Sequence, residues 1–138
     1  VTGRIKHYIS AFGEHVIGKE VETALQTAIS GTNISVNEFT VAPQINPKSG
    51  LPYHEWLIEF DSQPEDLEAF AQKIDTGMCQ QNVYYDDLIK GNVLRTIVIT
   101  KVAKNGFQEY MKSIGKLGGQ NKLPRLSNDR KIADFFEV

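Results

Sequence analysis

The sequence has 138 residues, of which 41% are apolar and 23% charged, and its formal net charge is −2. This length suits one domain with one core, and the composition excludes an intrinsically disordered chain. No apolar run approaches the roughly 20 residues that span a bilayer, and the N-terminal residues lack the pattern of a secretory signal. We therefore expect a single soluble, cytoplasmic domain with no membrane partner.

The first 30 residues predict a strand, a turn and a helix. Residues 4–12 favour a short strand, and Gly13 ends it. From Glu14 to Ile29 the apolar residues follow helical spacing, and Gly31 is a plausible cap. This region is therefore expected to be a strand, a glycine turn and an amphipathic helix.

The next two segments predict an antiparallel strand pair. Residues 35–45 and 53–60 are rich in β-branched and aromatic side chains, and a loop containing proline and glycine joins them. The two-residue period of a strand places one set of side chains in the core and another on the opposite face. These sets are Trp56, Ile58 and Phe60, and Glu55, Leu57 and Glu59.

The second half of the chain predicts three helices and one strand. A helix is expected over 62–78 with Ser62 as its N-cap, and short helices over 83–90 and 105–114. Residues 93–102 form an almost continuous branched run that favours a central strand buried on both faces. The order of elements predicts an α+β domain with one mixed sheet of about four strands, flanked by helices.

Most common catalytic and cofactor motifs are missing from the sequence. The glycines of the C-terminal third lack the context of a phosphate-binding or dinucleotide-binding loop. His7, His15 and His54 show no metal-ligand spacing, so each is interpreted as a packing or surface residue and no metal site is predicted. Cys79 has no second thiol nearby and is interpreted as a structural residue at a helix end.

The C-terminal third concentrates positive charge. Between Lys104 and Lys131 seven residues are basic and two are acidic, whereas between Asp61 and Asp87 seven are acidic and one is basic. Within residues 115–131, which we call the basic loop, Lys122 follows a glycine-rich stretch that reorganises at little cost. A cation on such a loop can approach a developing phosphate charge, although a disordered tail explains the same composition.

The opening residues resemble a known hinge motif. Residues 3–22 match G-R-x-[DK]-[DEH]-x-[IL]-x-x-x-G-x-x-[IV]-x-x-x-E-[IV]-E without a gap. This is the hinge of acyl-adenylate-forming enzymes, in which a small C-terminal α+β domain rotates against a large N-terminal domain. The resemblance implies that the chain is such a C-terminal domain, with its own N-terminal domain as partner.

The rest of the chain resembles the bacterial relatives of the plant auxin-responsive acyl-acid amido synthetases. The segments "EFTVAPQ", "YHEWLIEF" and "GGQNKLPRLSNDRKIAD" carry this resemblance, and the last contains the family's Q-x-K-x-P-R motif. The family implies a ligase that uses ATP and Mg²⁺, bound mainly by the N-terminal domain, to adenylate a carboxylic acid. An amine or amino acid then takes the acyl group, so the fragment alone is expected to be inactive.

The resemblance also implies roles for individual residues. Lys122 would contact the phosphate, with Arg125 and Gln120 in support. Lys6 and Arg4 would belong to the hinge. Gly13 would lie near the channel of the second substrate, where a side chain would obstruct passage.

Two alternatives stay open. The segment "PRLSNDRKI" is similar to the catalytic-lysine motif of acyl-CoA ligases of the same superfamily. Lys131 is therefore a second candidate for the catalytic lysine. An acyl-CoA thioester is likewise a second candidate for the product. A stand-alone α+β binding or regulatory module is the other alternative, in which the basic third could contact nucleic acid. The preferred interpretation includes no nucleic-acid partner.

Overall fold

The computed structural model describes most of the chain. The described residues are 8–9, 16–45, 50–113, 115, 126 and 130–136, and for Tyr8, Ile9 and Lys131 they include the backbone alone. Their elements in chain order are β1 (Tyr8–Ile9), β2 (Val16–Ile17), α1 (Gly18–Ile29), β3 (Ser35–Gln44), β4 (Tyr53–Ser62), α2 (Leu67–Gln81), α3 (Val83–Lys90), β5 (Val98–Lys101), α4 (Gly106–Ser113) and α5 (Lys131–Phe136).

A mixed sheet with the strand order β3-β4-β5 forms the middle layer of the domain. Strands β3 and β4 are antiparallel, as predicted, with Val41 opposite Trp56. Strand β5 is parallel to β4, because the chain returns through the two helices α2 and α3 before it rejoins the sheet. The α+β class and the mixed sheet flanked by helices are confirmed, with three strands in the described sheet.

The prediction of a central strand over residues 93–102 is wrong. Only Val98–Lys101 is a strand, and it lies at an edge of the described sheet with half-buried side chains at 98–100. The central strand is β4, which pairs on both sides. A branched apolar run does not distinguish an edge strand from a central one, because apolar residues can be buried without joining the sheet. Leu94 and Ile97, which precede β5, pack into the core in this way.

Two predicted helix starts are also corrected. Ser62 does not cap a helix, because it is the last residue of β4 and pairs with Ser35. The N-cap of α2 is Asp66, whose carboxylate accepts a hydrogen bond from the Ala69 N–H at 3.1 Å. Helix α1 begins at Gly18 rather than Glu14, because Val16 and Ile17 are paired in β2.

The two faces of the sheet carry two separate clusters of buried side chains. The larger cluster packs α1, α2 and α3 against one face and includes Phe39, Trp56 and Ile58. The smaller cluster packs α4 and α5 against the other face around Leu57. The alternation predicted for β4 is therefore confirmed, and Trp56 is a fully buried core residue.

Candidate functional site: the frame of the hinge and the basic loop

The residues predicted to act at the site fall mainly in two segments that the structure leaves out. Arg4, Lys6, Gly13, Gln120, Lys122 and Arg125 lie outside the described residues. Lys131 is the first residue of α5, and its side chain is outside the description. The structure thus shows the frame that holds these two segments.

A short strand pair holds the segment that contains Gly13. Tyr8 lies opposite Ile17 and Ile9 opposite Val16, in antiparallel register. Val16 is fully buried in the larger cluster. Ile9 and Val16, which flank residues 10–15 in sequence, are therefore paired, and Val16 is anchored in the core.

Glu20 connects this strand pair to the start of α3. Its Oε1 accepts a hydrogen bond from the Ile17 N–H at 3.0 Å and from the Asn82 side-chain amide at 3.1 Å. Asn82 in turn caps α3, because its Oδ1 accepts from the N–H groups of Tyr84 and Tyr85. The first acid of the predicted hinge motif therefore has a structural role, next to the fully buried Val21.

A buried carboxylate on β4 holds the start of α4, which leads into the basic loop. Glu59 is 2% exposed, and its Oε2 accepts from the Asn37 side-chain amide at 2.7 Å and from the Asn105 N–H at 3.2 Å. Asn105 has a φ of 67°, in the left-handed region, and α4 begins at the next residue, Gly106. The negative charge lies beside a helix N-terminus, where the helix dipole favours it.

A second buried carboxylate, four residues earlier on the same face of β4, holds the start of α5. Glu55 accepts a hydrogen bond from the Thr100 hydroxyl at 2.5 Å and forms an ion pair with Arg130 at 2.6 Å. The Arg130 Nε also lies 3.4 Å from the Asp134 carboxylate. Arg130 directly precedes Lys131, so this ion pair fixes the point at which the basic loop joins α5.

Leu126 provides a further anchor inside the basic loop. It is fully buried in the larger cluster and forms an isolated parallel bridge with Val41 of β3. Arg125 is its immediate neighbour in sequence. Leu126 therefore gives one described, fixed point in the sequence between α4 and α5.

The two-residue period of β4 predicts that Glu55 and Glu59 share one face but indicates no role for them, and in the sequence Arg130 is only one of the basic residues of the C-terminal third. A signal was present, since two acids flank Leu57 on a strand expected to be covered by helices. Buried carboxylates require charged or hydrogen-bonding partners. The alternation along β4 does not indicate which residues are the partners of Glu55 and Glu59.

A third polar group lies on the opposite face, within the larger cluster. The Asp75 carboxylate accepts from the Tyr85 hydroxyl at 2.6 Å and from the Ile97 N–H at 3.3 Å. Burial raises the pKa of Asp75, and these two hydrogen bonds oppose the rise. His54 is buried beside it, with its ring centroid 5.2 Å from that of Tyr85, which confirms a packing role.

Cys79 lies near the C-terminal end of α2, as predicted. Burial, followed by the nearby Asp75 and Asp86 carboxylates, raises the pKa of its thiol to about 12. A protonated thiol is a poor nucleophile and a poor metal ligand. Cys79 is therefore suited to a structural role.

Neither metal-binding clusters nor membrane spans occur in the described part of the chain. No three His, Cys, Asp or Glu side chains within it come together in a way that could hold a metal ion. None of its helices combines the length and the apolar character needed to cross a bilayer.

Comparison with known proteins assigns the family. The model of the GH3 family C-terminal domain matches residues 19–131. A solved acyl acid amido synthetase, GH3.15, superposes with a TM-score of 0.73 at 16% identity, over 96% of this chain and 26% of that one. A second structure of GH3.15, in complex with 2,4-DB, has a TM-score of 0.70 at 15% identity and covers 94% and 25%.

The chain thus spans about a quarter of the length of these solved proteins. No curated protein matches the sequence. At this identity the structural likeness shows the fold alone, whereas the family model covers most of the chain. The chain therefore belongs to the GH3 family, as its C-terminal domain.

Proposed function

We propose that this chain is the C-terminal domain of an ATP-dependent acyl-acid amido synthetase, a ligase that adenylates a carboxylic acid and conjugates it to an amine or amino acid. The observation that carries the proposal is the family-model match over residues 19–131. The shared fold with a protein named as an acyl acid amido synthetase supports it. The proposed setting is the cytoplasm.

The proposed reaction has two halves. A carboxylate oxygen of the acid attacks the α-phosphorus of ATP, and pyrophosphate leaves. The nitrogen of the amine then attacks the acyl carbon, and AMP leaves with the bonding electrons. Catalysis of phosphoryl transfer is mainly positioning and stabilisation of charge, so a cation supplied by a mobile domain fits the first half.

Lys122 is proposed as that cation, with Arg125 and Gln120 supporting the phosphate. At 4 Å and an effective dielectric constant near 20, one such contact is worth about 4 kcal/mol before desolvation costs. The anchors at Leu126 and at the Glu55–Arg130 ion pair support this assignment, because they limit how far the loop can carry the charge. A tethered cation loses less entropy when it meets the phosphate.

The hinge is proposed at residues 3–22, with Lys6 and Arg4 at the turning point and Gly13 beside the channel of the second substrate. The paired strands β1 and β2 and the Glu20 contacts support this, because they give the domain a firm edge next to the hinge. ATP and Mg²⁺ are proposed to bind mainly to the N-terminal domain. No metal ligand is assigned to this chain.

The assignment of the lysine can be tested in the full-length enzyme by acid-dependent exchange between ATP and pyrophosphate. Lys122→Ala is expected to lower the exchange rate at least tenfold, or about 1.4 kcal/mol in the activation barrier. Lys116→Ala, in the same loop, is the matched control and should retain exchange. Unchanged exchange in Lys122→Ala together with its loss in Lys131→Ala would assign the catalytic role to Lys131.

The hinge can be tested by Lys6→Pro, which restricts the backbone dihedral at that position. The substitution should slow one half-reaction much more than the other, as seen by comparing pyrophosphate exchange with amide formation in single turnovers. Equal effects on the two would argue against a hinge at Lys6.

The product distinguishes the alternatives. An acyl-CoA ligase would form a thioester from the adenylate and CoA, whereas an amido synthetase would form an amide with an amine and ignore CoA. A stand-alone binding module would instead bind nucleic acid in a salt-sensitive way through its basic third. In that case Lys122→Ala would leave any adenylation unchanged.

A further inference from the structure

Three large apolar side chains are exposed close to the predicted hinge. Ile17 at the end of β2 is 39% exposed, and Val83 and Tyr84 in the first turn of α3 are 62% and 61% exposed. We call these three residues the hinge-side patch. Single exposed apolar residues are ordinary, but a group of them at one place marks an interaction surface.

The contacts of Glu20 place the three residues together. One carboxylate oxygen of Glu20 accepts from both the Ile17 N–H and the side-chain amide of Asn82. Asn82 immediately precedes Val83 and Tyr84. The end of β2 and the start of α3 are therefore neighbours in space, although they are more than 60 positions apart in sequence.

The backbone beneath the patch is fixed before any partner binds. The Asn82 Oδ1 accepts from the N–H groups of Tyr84 and Tyr85 at 2.9 and 3.0 Å. Tyr85 is fully buried, and its hydroxyl donates to Asp75. A surface held in this way loses little conformational entropy on binding, and tyrosine is enriched in the centres of interfaces.

We propose that the hinge-side patch docks against the large domain that precedes this fold in a full-length enzyme, in at least one ligand state. This inference rests on the proposed function. In the two solved structures of GH3.15 the matched fold spans 26% and 25% of the chain, so most of that protein lies outside it.

Position and chemistry select this occupant over others. Ile17 lies inside residues 3–22, so the patch is tethered to whatever the hinge joins, and a short tether raises the effective concentration of the two surfaces to millimolar levels. Two exposed charged residues lie beside the patch in sequence: Lys19 in α1 follows Ile17, and Asp87 in α3 follows Tyr84. An apolar centre with a polar rim is typical of interfaces between domains.

Hydrogen exchange tests the proposal without relying on catalysis. The amides of residues 83–85 should exchange at least fivefold more slowly in the full-length enzyme than in the isolated 138-residue chain, in one ligand state or more. Residues 92–94, at the other end of α3, serve as the internal reference and should exchange equally in both. Equal exchange at 83–85 in every ligand state would overturn the proposal.

A charged double variant tests the patch itself. Val83→Lys/Tyr84→Lys should abolish the protection and change the ratio of the two half-reaction rates at least fivefold. Val93→Lys is the matched control, because Val93 is 42% exposed on the loop after α3 and lies outside the patch. The same change of ratio in Val93→Lys would contradict a specific surface, and circular dichroism of each variant checks folding.

The outcomes separate this inference from the proposed function. Acid-dependent pyrophosphate exchange without protection at 83–85 would remove the docking surface and leave the function in place. Protection at 83–85 without adenylation of any acid would remove the proposed function and leave the docking surface in place. Protection that appears in the isolated chain as its concentration rises would point to a second copy as the occupant and would overturn the proposal.

Discussion

The two faces of β4 carry side chains with different roles. One face, with Trp56 and Ile58, packs into the larger cluster beneath α1, α2 and α3. The other face alternates Glu55, Leu57 and Glu59, which are all at most 5% exposed, and its two carboxylates hold the starts of α5 and α4. Apolar packing stabilises the fold, whereas the buried carboxylates fix the positions at which α4 and α5 begin.

The difference has a physical reason. Burial of an apolar side chain is non-directional and is satisfied by any well-packed neighbour. A buried carboxylate is tolerated only with donors at defined positions, so it selects one arrangement of the chain. The polar face of β4 therefore specifies the start of α4 and the point at which the basic loop joins α5, and substitutions at Trp56, Glu55 and Asp75 can test this division of roles.

The largest effect is expected on the apolar face. Trp56→Ala should lower the free energy of unfolding by about 3–5 kcal/mol, because it removes a fully buried ring that stacks on Phe39 at 5.8 Å. Trp56→Phe should cost much less, since a ring remains and the buried indole N–H has no hydrogen-bond partner among the described residues. Urea unfolding followed by circular dichroism measures both, and equal costs would contradict this account.

An intermediate effect is expected on the polar face. Glu55→Ala should cost about 2–3 kcal/mol, because it leaves Arg130, with 18% of its side chain exposed, without its main carboxylate partner. Combining Glu55→Leu with Arg130→Met should recover part of the stability. A double-mutant cycle should give a coupling of about 1–3 kcal/mol, and additive costs would show that the ion pair contributes nothing specific.

The same ion pair can be tested in the full-length protein, for which we propose an adenylating activity. If the polar face positions the basic loop, the Glu55→Leu/Arg130→Met variant should exchange pyrophosphate more slowly even where its stability is restored. Trp56→Phe should exchange at the normal rate. Normal exchange by both variants would leave the polar face with a structural role alone.

The smallest effect concerns Asp75, the carboxylate within the apolar side. Its pKa is raised above the ordinary value of 3.8 by burial, so the folded state binds its proton more tightly than the unfolded state. The contribution of Asp75 to the free energy of unfolding should therefore rise as the pH falls through the raised pKa towards 3.8. The same contribution should be lost as the pH increases again.

Asp75→Asn should differ from the wild type by about 1 kcal/mol or less at neutral pH, because an amide oxygen can accept the same two hydrogen bonds. As the pH falls, the wild type should gain stability relative to this variant, because only the wild type carries the Asp75 carboxylate, whose pKa is raised. Urea unfolding over a pH series measures the difference. A difference that is constant with pH would contradict a raised pKa at Asp75.

Much of the fold could be predicted from the sequence because it depends on local periodicity. The antiparallel pairing of β3 with β4, the two faces of β4 and the helix that Gly91 ends follow from patterns within a few residues. The strand position of residues 98–101 and the N-cap of α2 could not be predicted in the same way. Both depend on which distant segment the chain meets, as in the pairing of Ser62 with Ser35.

The sequence by itself determined the α+β class and, through the contiguous hinge motif and the Q-x-K-x-P-R motif, the family to which the chain belongs. The tertiary structure decided that β4 is central and that its carboxylates hold the starts of α4 and α5. The ion pair between Glu55 and Arg130 joins residues 75 positions apart. No local pattern encodes such a partner, because a buried charge acquires its partner only when the surrounding elements pack.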